Sequence, residues 1–215
     1  MLGVMFGNKH SFYDMGLLLK SYPKISPPSP VTNYVEVPGM DGALDLSKIL
    51  TGYVLYKRRT IEMTFNIMEP REHWPEKHSE IMDALHGMEM DIVLDDDPEY
   101  CYTGRLTVEG YDPQKVTSGV TITADVEPFK TRLDATRRSF TVSGSLTAAI
   151  ATTRKPVIPV FTASAAMEMS FGGVSYSLPK GESSFPDVIL RSGEDNIIVF
   201  SGEGAVTLTY REGRF

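Results

Sequence analysis

Cysteine is almost missing from this sequence. A single residue, Cys101, in 215 excludes an intrachain disulfide framework and a multi-thiolate zinc site. Long hydrophobic runs are missing as well. The longest stop at four or five residues, as in residues 16–19, far below the ~20 that a membrane-spanning helix needs. The first residues mix Lys9, His10 and Asp14 among apolar positions, so no cleaved leader is expected. Positive charge is in deficit: 28 acids against 21 Lys and Arg give a net charge of -7 and a pI near 5.1. Such a chain has no electrostatic footprint for gripping phosphates, although like charge would let nucleic acid slide past without being held. What the sequence does have is core material. It is 41% hydrophobic and 10% aromatic, which argues against disorder and against collagen-like or coiled-coil repeats. The expectation is a soluble, globular chain that is either kept reduced or indifferent to redox.

The charge is unevenly spread. Residues 1–133 hold 20 acids and 13 bases, while residues 134–215 hold eight of each. Residues 21–30 carry four prolines, which remove backbone donors and exclude a helix. Residues 35–42 read as a short strand entering a Pro-Gly turn and then Asp-Gly. Strict alternation predicts a strand over 60–67, with Ile61, Met63, Phe65 and Ile67 on one face. It recurs at Leu106 and Val108 and at Val120, Ile122, Ala124 and Val126, giving half-buried antiparallel strands. One helix is predicted from Trp74, His78, Ile81 and Leu85, with Pro75 in its first turn and Gly87 as its stop. Past a composition shift at 130–140, short strands are predicted at 156–161, 167–171, 174–178, 187–190, 197–200 and 205–210. Glycine-rich turns separate them, a pattern that suggests a β-sandwich. The division into domains is placed at 133/134.

Catalytic chemistry is hard to find. Asp95, Asp96 and Asp97 head a run of six acids without a base between residues 89 and 99. Consecutive residues of an extended chain point to opposite faces, and the run lacks EF-hand spacing, so it reads as a solvated turn or an acidic surface. His73, His78 and His86 lack the one-face i, i+4 pairing of a zinc protease. Cys101 reads as a small buried hydrophobe. There is no nucleophile elbow, phosphate loop or dinucleotide fingerprint, so no enzyme activity, metal or cofactor is expected. Lys57, Arg58 and Arg59 form a basic triplet, read as a solvated strand edge, salt-bridge donors or a partner contact.

Several segments, taken in order, resemble a known family. They are residues 6–11 with 14–17, residues 37–47, residues 50–52 with Tyr56 and Arg59, residues 94–98 running to 102–105, residues 193–196, and residues 206–214. The set is similar to the distal tail proteins of phages and prophages with long non-contractile tails. The resemblance implies a mainly β chain with an α+β N-terminal part. Residues 1–133 would be a β-barrel-like, ring-forming domain with one helix and a β-hairpin, and 134–215 a galectin-like β-sandwich. It implies a homo-oligomer, a hexamer, at the virion tail tip, put together in the bacterial host cytoplasm. Such a ring joins the tail tube protein to tail-tip or tail-associated lysin proteins and receptor-binding proteins, with DNA only in transit and no membrane contact. With an acidic N-terminal part, Asp95, Asp96 and Asp97 are placed at the lumen or rim. The alternative is a carbohydrate-binding module that adsorbs to the host surface, with Phe171, Tyr176 and Phe185 as the C-terminal aromatic candidates.

Overall fold

The computed structural model describes residues 3–49, 51–113 and 118–215. They fall into two compact units. One comprises the residues up to Lys130 together with Phe215, and the other is Thr131–Arg214. The chain is mainly β, and the single α-helix described is only 12 residues long. No described helix is long and apolar enough to cross a membrane.

The first unit contains β1 (Val4–Phe6), β2 (Lys9–His10), β3 (Leu17–Leu19), β4 (Lys24–Ile25), β5 (Tyr34–Glu36), β6 (Ala43–Asp45) and β7 (Arg59–Ile67). A helix, α1 (Trp74–Leu85), precedes β8 (Glu89–Leu94), β9 (Tyr100–Pro113) and β10 (Ser118–Val126). The principal sheet has the order β2-β1-β8-β9-β10-β7-β3, with β4 also on β7, and its neighbours pair antiparallel. Its two ends are β2 and β3, yet residues 11–16 alone join them. Ser11 donates to the Val4 carbonyl at 2.8 Å, and Leu17 donates to the Ser11 carbonyl at 2.7 Å. Phe6, near one end of the order, meets Phe65, near the other, edge to face at 6.1 Å. The sheet is therefore curled into a barrel-like shape around the alternating residues that the sequence marks. Ile61, Met63, Phe65, Leu106, Val120, Ile122, Ala124 and Val126 are all fully buried. Alternation fades after Val108 because Gly110 (φ +52°) is an extra residue in β9 opposite Val120 and Thr121. The bulge shifts the inward phase from even to odd positions, so Tyr111 packs on the core.

The helix occupies the expected residues. Pro75 lies in its first turn, and Trp74, Ile81 and Leu85 are buried. Trp74 Nε1 donates to the Glu69 carbonyl at 2.7 Å, which satisfies the indole as its ring enters the core. Gly87, at φ +77°, stops the helix. His78, expected on the apolar stripe, is half-buried and rests on Tyr111 at 4.7 Å.

The second unit opens with β11 (Lys130–Arg132), whose first residue belongs to the unit before, and β12 (Thr136–Ala149). It continues with β13 (Val160–Ala163), β14 (Met167–Phe171), β15 (Val174–Leu178), β16 (Gly181–Ser184), β17 (Ile197–Tyr210) and β18 (Gly213–Arg214). The sheet order is β15-β14-β17-β13-β16, and β12 pairs with β17 along all 14 residues. Residues 198–201 of β17 pair with β14, while residues 206–209 pair with β13. The long strand pair thus serves both layers of a β-sandwich. Between the two sets lie Gly202 (φ +140°), opposite Gly144 (φ +75°) of β12, and Gly204 (φ +134°), opposite Val142. A Cβ on Gly202 would come within 2.8 Å of Met167 Cβ, and one on Gly204 within 2.7 Å of Ser164 Oγ. Both backbone shape and close approach therefore require glycine there. Phe161 of one layer meets Phe200 of the other at 6.4 Å.

Some sequence expectations are corrected here. Residues 197–200 and 205–210 are one strand, because the glycines bend it without ending it. Residues 187–190 form no strand; Leu190 makes an isolated bridge to Val157, and the strand expected at 156–161 is displaced to Val160–Ala163. A strand that the sequence does not predict, β12, begins within the composition shift at 130–140; its Ser, Thr and Gly content hides a strand largely exposed along its length.

Candidate assembly surface

An arm between residues 29 and 57 projects from the first unit without a core of its own. Its base is a two-strand crossing: Lys57 N donates to the Ser29 carbonyl and Val31 N to the Leu55 carbonyl, both at 2.8 Å, and Pro30 bridges Tyr56. Farther out, Leu46 N reaches the Asn33 carbonyl, and the Ser47 hydroxyl accepts from Asn33 N at 2.9 Å. The β5–β6 hairpin then pairs Tyr34 with Asp45, Val35 with Leu44 and Glu36 with Ala43. Gly39 and Gly42 supply positive φ at its tip, where Pro38-Gly39 and Asp41-Gly42 predicted turns. Ser47 donates to Asp45, first through its hydroxyl and then through its backbone, and holds that carboxyl below its ordinary value.

Every residue of β5 and β6 is exposed. Tyr34 is 61% exposed, Met40 46%, Leu44 47% and Ile49 69%. A two-stranded hairpin is marginal in water by itself, and large apolar side chains left exposed along one arm mark a candidate interaction site. A concavity of about 580 Å³ lies along the tip, lined by Glu36, Val37, Pro38, Met40, Gly42 and Ala43. The arm pairs with no other strand among the described residues.

The acidic turn is less free than a solvated loop. Asp95 accepts from Gly3 N at 2.7 Å and meets His10 Nε2 at 3.1 Å. His10 is 8% exposed, and its Nδ1 accepts from the backbone N–H groups of Phe12 and Tyr13. Asp96 accepts from the Tyr22 hydroxyl, which raises the Tyr22 phenol above its ordinary value. Asp97 pairs with Lys130 at 2.6 Å. The three side chains point to three different neighbours, and among the described residues no group of three His, Cys, Asp or Glu is placed to hold a metal ion.

The basic triplet is also split. Lys57 is exposed. Arg58 is exposed and pairs with Asp125 at 2.9 Å, while its Nη2 donates to the Asp125 carbonyl. Arg59 is buried, with its guanidinium over the Tyr102 ring at 5.0 Å. It is not part of a solvated edge, because it shares the inward face of β7 with Ile61, Met63 and Phe65. The alternation that marks those three, extended back by two residues, reaches Arg59. The His10–Asp95 pair, 85 residues apart, left no such signal.

In the second unit, Phe171, Tyr176 and Phe185 are half-buried and pack against the sandwich core, with Tyr176 and Phe185 at 5.1 Å from one another. Asn196 is the buried polar centre of that unit. Its Oδ1 accepts from Arg191 N at 2.9 Å, and its Nδ2 donates to the Ile150 and Arg191 carbonyls.

No protein-family profile matches the chain, and no curated protein matches it. Among solved structures it is similar to SPP1 Dit (gp 19.1), described as a paradigm of the hub adsorption apparatus in phages that infect Gram-positive bacteria. The two are 14% identical with a TM-score of 0.69, and the match covers 100% of each chain. At that identity the likeness establishes a common fold.

Proposed function

We propose that the chain is a structural hub protein of a phage or prophage tail tip. Six copies form a ring through the first unit, the second unit is a galectin-like β-sandwich, and the protein catalyses nothing. The ring connects the tail tube to tip, lysin or receptor-binding proteins, and DNA passes through it. The observation that carries this reading is the end-to-end likeness to a hub protein, with both chains covered in full. The exposed arm supports it, since an unaccompanied hairpin with Tyr34, Val35 and Leu44 in water needs a neighbour to cover it.

Charge supports DNA in transit. The whole surplus of -7 lies in residues 1–133, so six copies bring about -42 to the annulus. An acidic wall repels phosphate within roughly 8–10 Å at physiological salt. The 95–99 turn, with Asp95, Asp96 and Asp97, is our choice for the lumen or rim. Lys57 and Arg58 are left for partner contact. The test is light scattering across concentration, with and without tail-tip partners. Assembly to six copies is expected, and a strict monomer under all of those conditions contradicts the proposal.

A further inference from the structure

Among the described residues of the first unit, Arg59 is the one buried lysine or arginine, at 5% exposure. Its Nε and Nη2 are sealed from solvent and meet no acceptor. Tyr102 is the one titratable neighbour that acts on it, and the Asp125 and Asp97 carboxylates pair with Arg58 and Lys130. The Tyr102 ring face offers the guanidinium a cation–π contact at 5.0 Å, but no counter-charge. A buried cation with unmet donors costs stability, and an apolar side chain of similar volume would serve the barrel at least as well. Burial accordingly pushes the guanidinium below its ordinary value.

The unmet pair has a definite shape. Nε–H and Nη2–H lie side by side on one edge of the guanidinium, the edge that takes both oxygens of a carboxylate. Two exposed hairpin acids, Glu36 and Asp41, make no ion pair among the described residues, whereas Asp45 is held by Ser47. We propose that Arg59 is a carboxylate receptor, filled by Glu36 or Asp41 when a second copy of the chain lays its hairpin on the first unit. Arg59 keeps 5% of its surface exposed, and a turn about its flexible side chain would present the two-donor edge. Only the source of the carboxylate rests on the ring-forming reading; the site itself does not.

Two measurements test this. The first is thermal unfolding of the full chain in sodium acetate against sodium chloride at equal ionic strength and pH. Wild type is expected to melt about 2 °C higher in acetate. R59M should show no such difference and should melt at or above wild type in chloride. R59K, which keeps the charge without the two-donor edge, should also lose the response. An equal acetate response in R59M, no response in wild type, or R59M melting well below wild type in chloride overturns the site. The second measurement is light scattering of E36Q/D41N and R59M. Both are expected to lose self-association at least tenfold in concentration. Normal self-association of E36Q/D41N overturns the hairpin as the source. If wild type stays monomeric both alone and with tail-tip partners, the ring reading and the source fall together, while the acetate response still decides the site.

Discussion

His10 ties the first strand pair to the 95–99 turn by accepting two backbone N–H groups at one ring nitrogen and meeting Asp95 at the other. Only the tautomer with its proton on Nε2 makes all three contacts. Replacing His10 by Ala strands those groups in a nearly closed site, and a loss of about 1–3 kcal/mol is expected in denaturant titrations. Asn196 plays the same part in the sandwich, and N196A should destabilise that unit by a comparable amount and leave the first unit's transition in place. Titration adds a further test. Burial raises the Tyr102 phenol, and the hydrogen bond to Asp96 raises Tyr22. A raised folded-state value means that the unfolded chain releases the proton first. The corresponding stability is whole below pH ~10 and is lost as pH climbs through the folded values. Stability measured against pH should therefore fall on that alkaline limb, and Y102F should flatten the fall.

Strands that alternate strictly were legible because half-buried antiparallel sheets impose a period of two on the residues themselves. β7 and β10 are the plain cases, and the helix was legible from its apolar spacing and its proline and glycine ends. β12 was not, because most of its residues face solvent and Ser and Thr there carry no hydrophobic signal. The sequence predicts two strands where β17 is one, since a glycine that bends a strand looks in sequence like one that ends it. G202A is the decisive variant at this scale. A positive φ together with a 2.8 Å approach to Met167 should cost about 1–3 kcal/mol in unfolding of the second unit, whereas a neutral outcome would mean that the bend tolerates side chains. The hairpin tip was legible from its Pro-Gly and Asp-Gly pairs, but its complete exposure was not, because Val35 and Leu44 are the residue types a buried strand uses. Of the candidate site, the acidic turn was legible as a turn. Its ties to His10, Tyr22 and Lys130 come from distant parts of the chain, which no local pattern records. Replacing residues 34–45 with a short flexible linker should leave the first unit's melting temperature within about 2 °C of wild type and abolish self-association. A large loss of stability would mean that the arm belongs to the fold and not to an interface.

At the scale of the whole molecule, two β units with separate cores share one chain, and the acidic surplus sits in the one that bears the arm. On the proposed hub reading, the arm would meet a second copy and the acidic wall would let DNA slide past. The most direct test is electron microscopy of the assembled protein, with tail-tip partners present if assembly requires them. The hub reading predicts a closed six-fold particle of about 143 kDa from copies of 23.8 kDa, each hairpin at 34–45 laid on the next copy and the 95–99 turn at the lumen or rim. Monomers only, or a ring whose hairpins stand free in solvent while Lys57 and Arg58 line the hole, would contradict it.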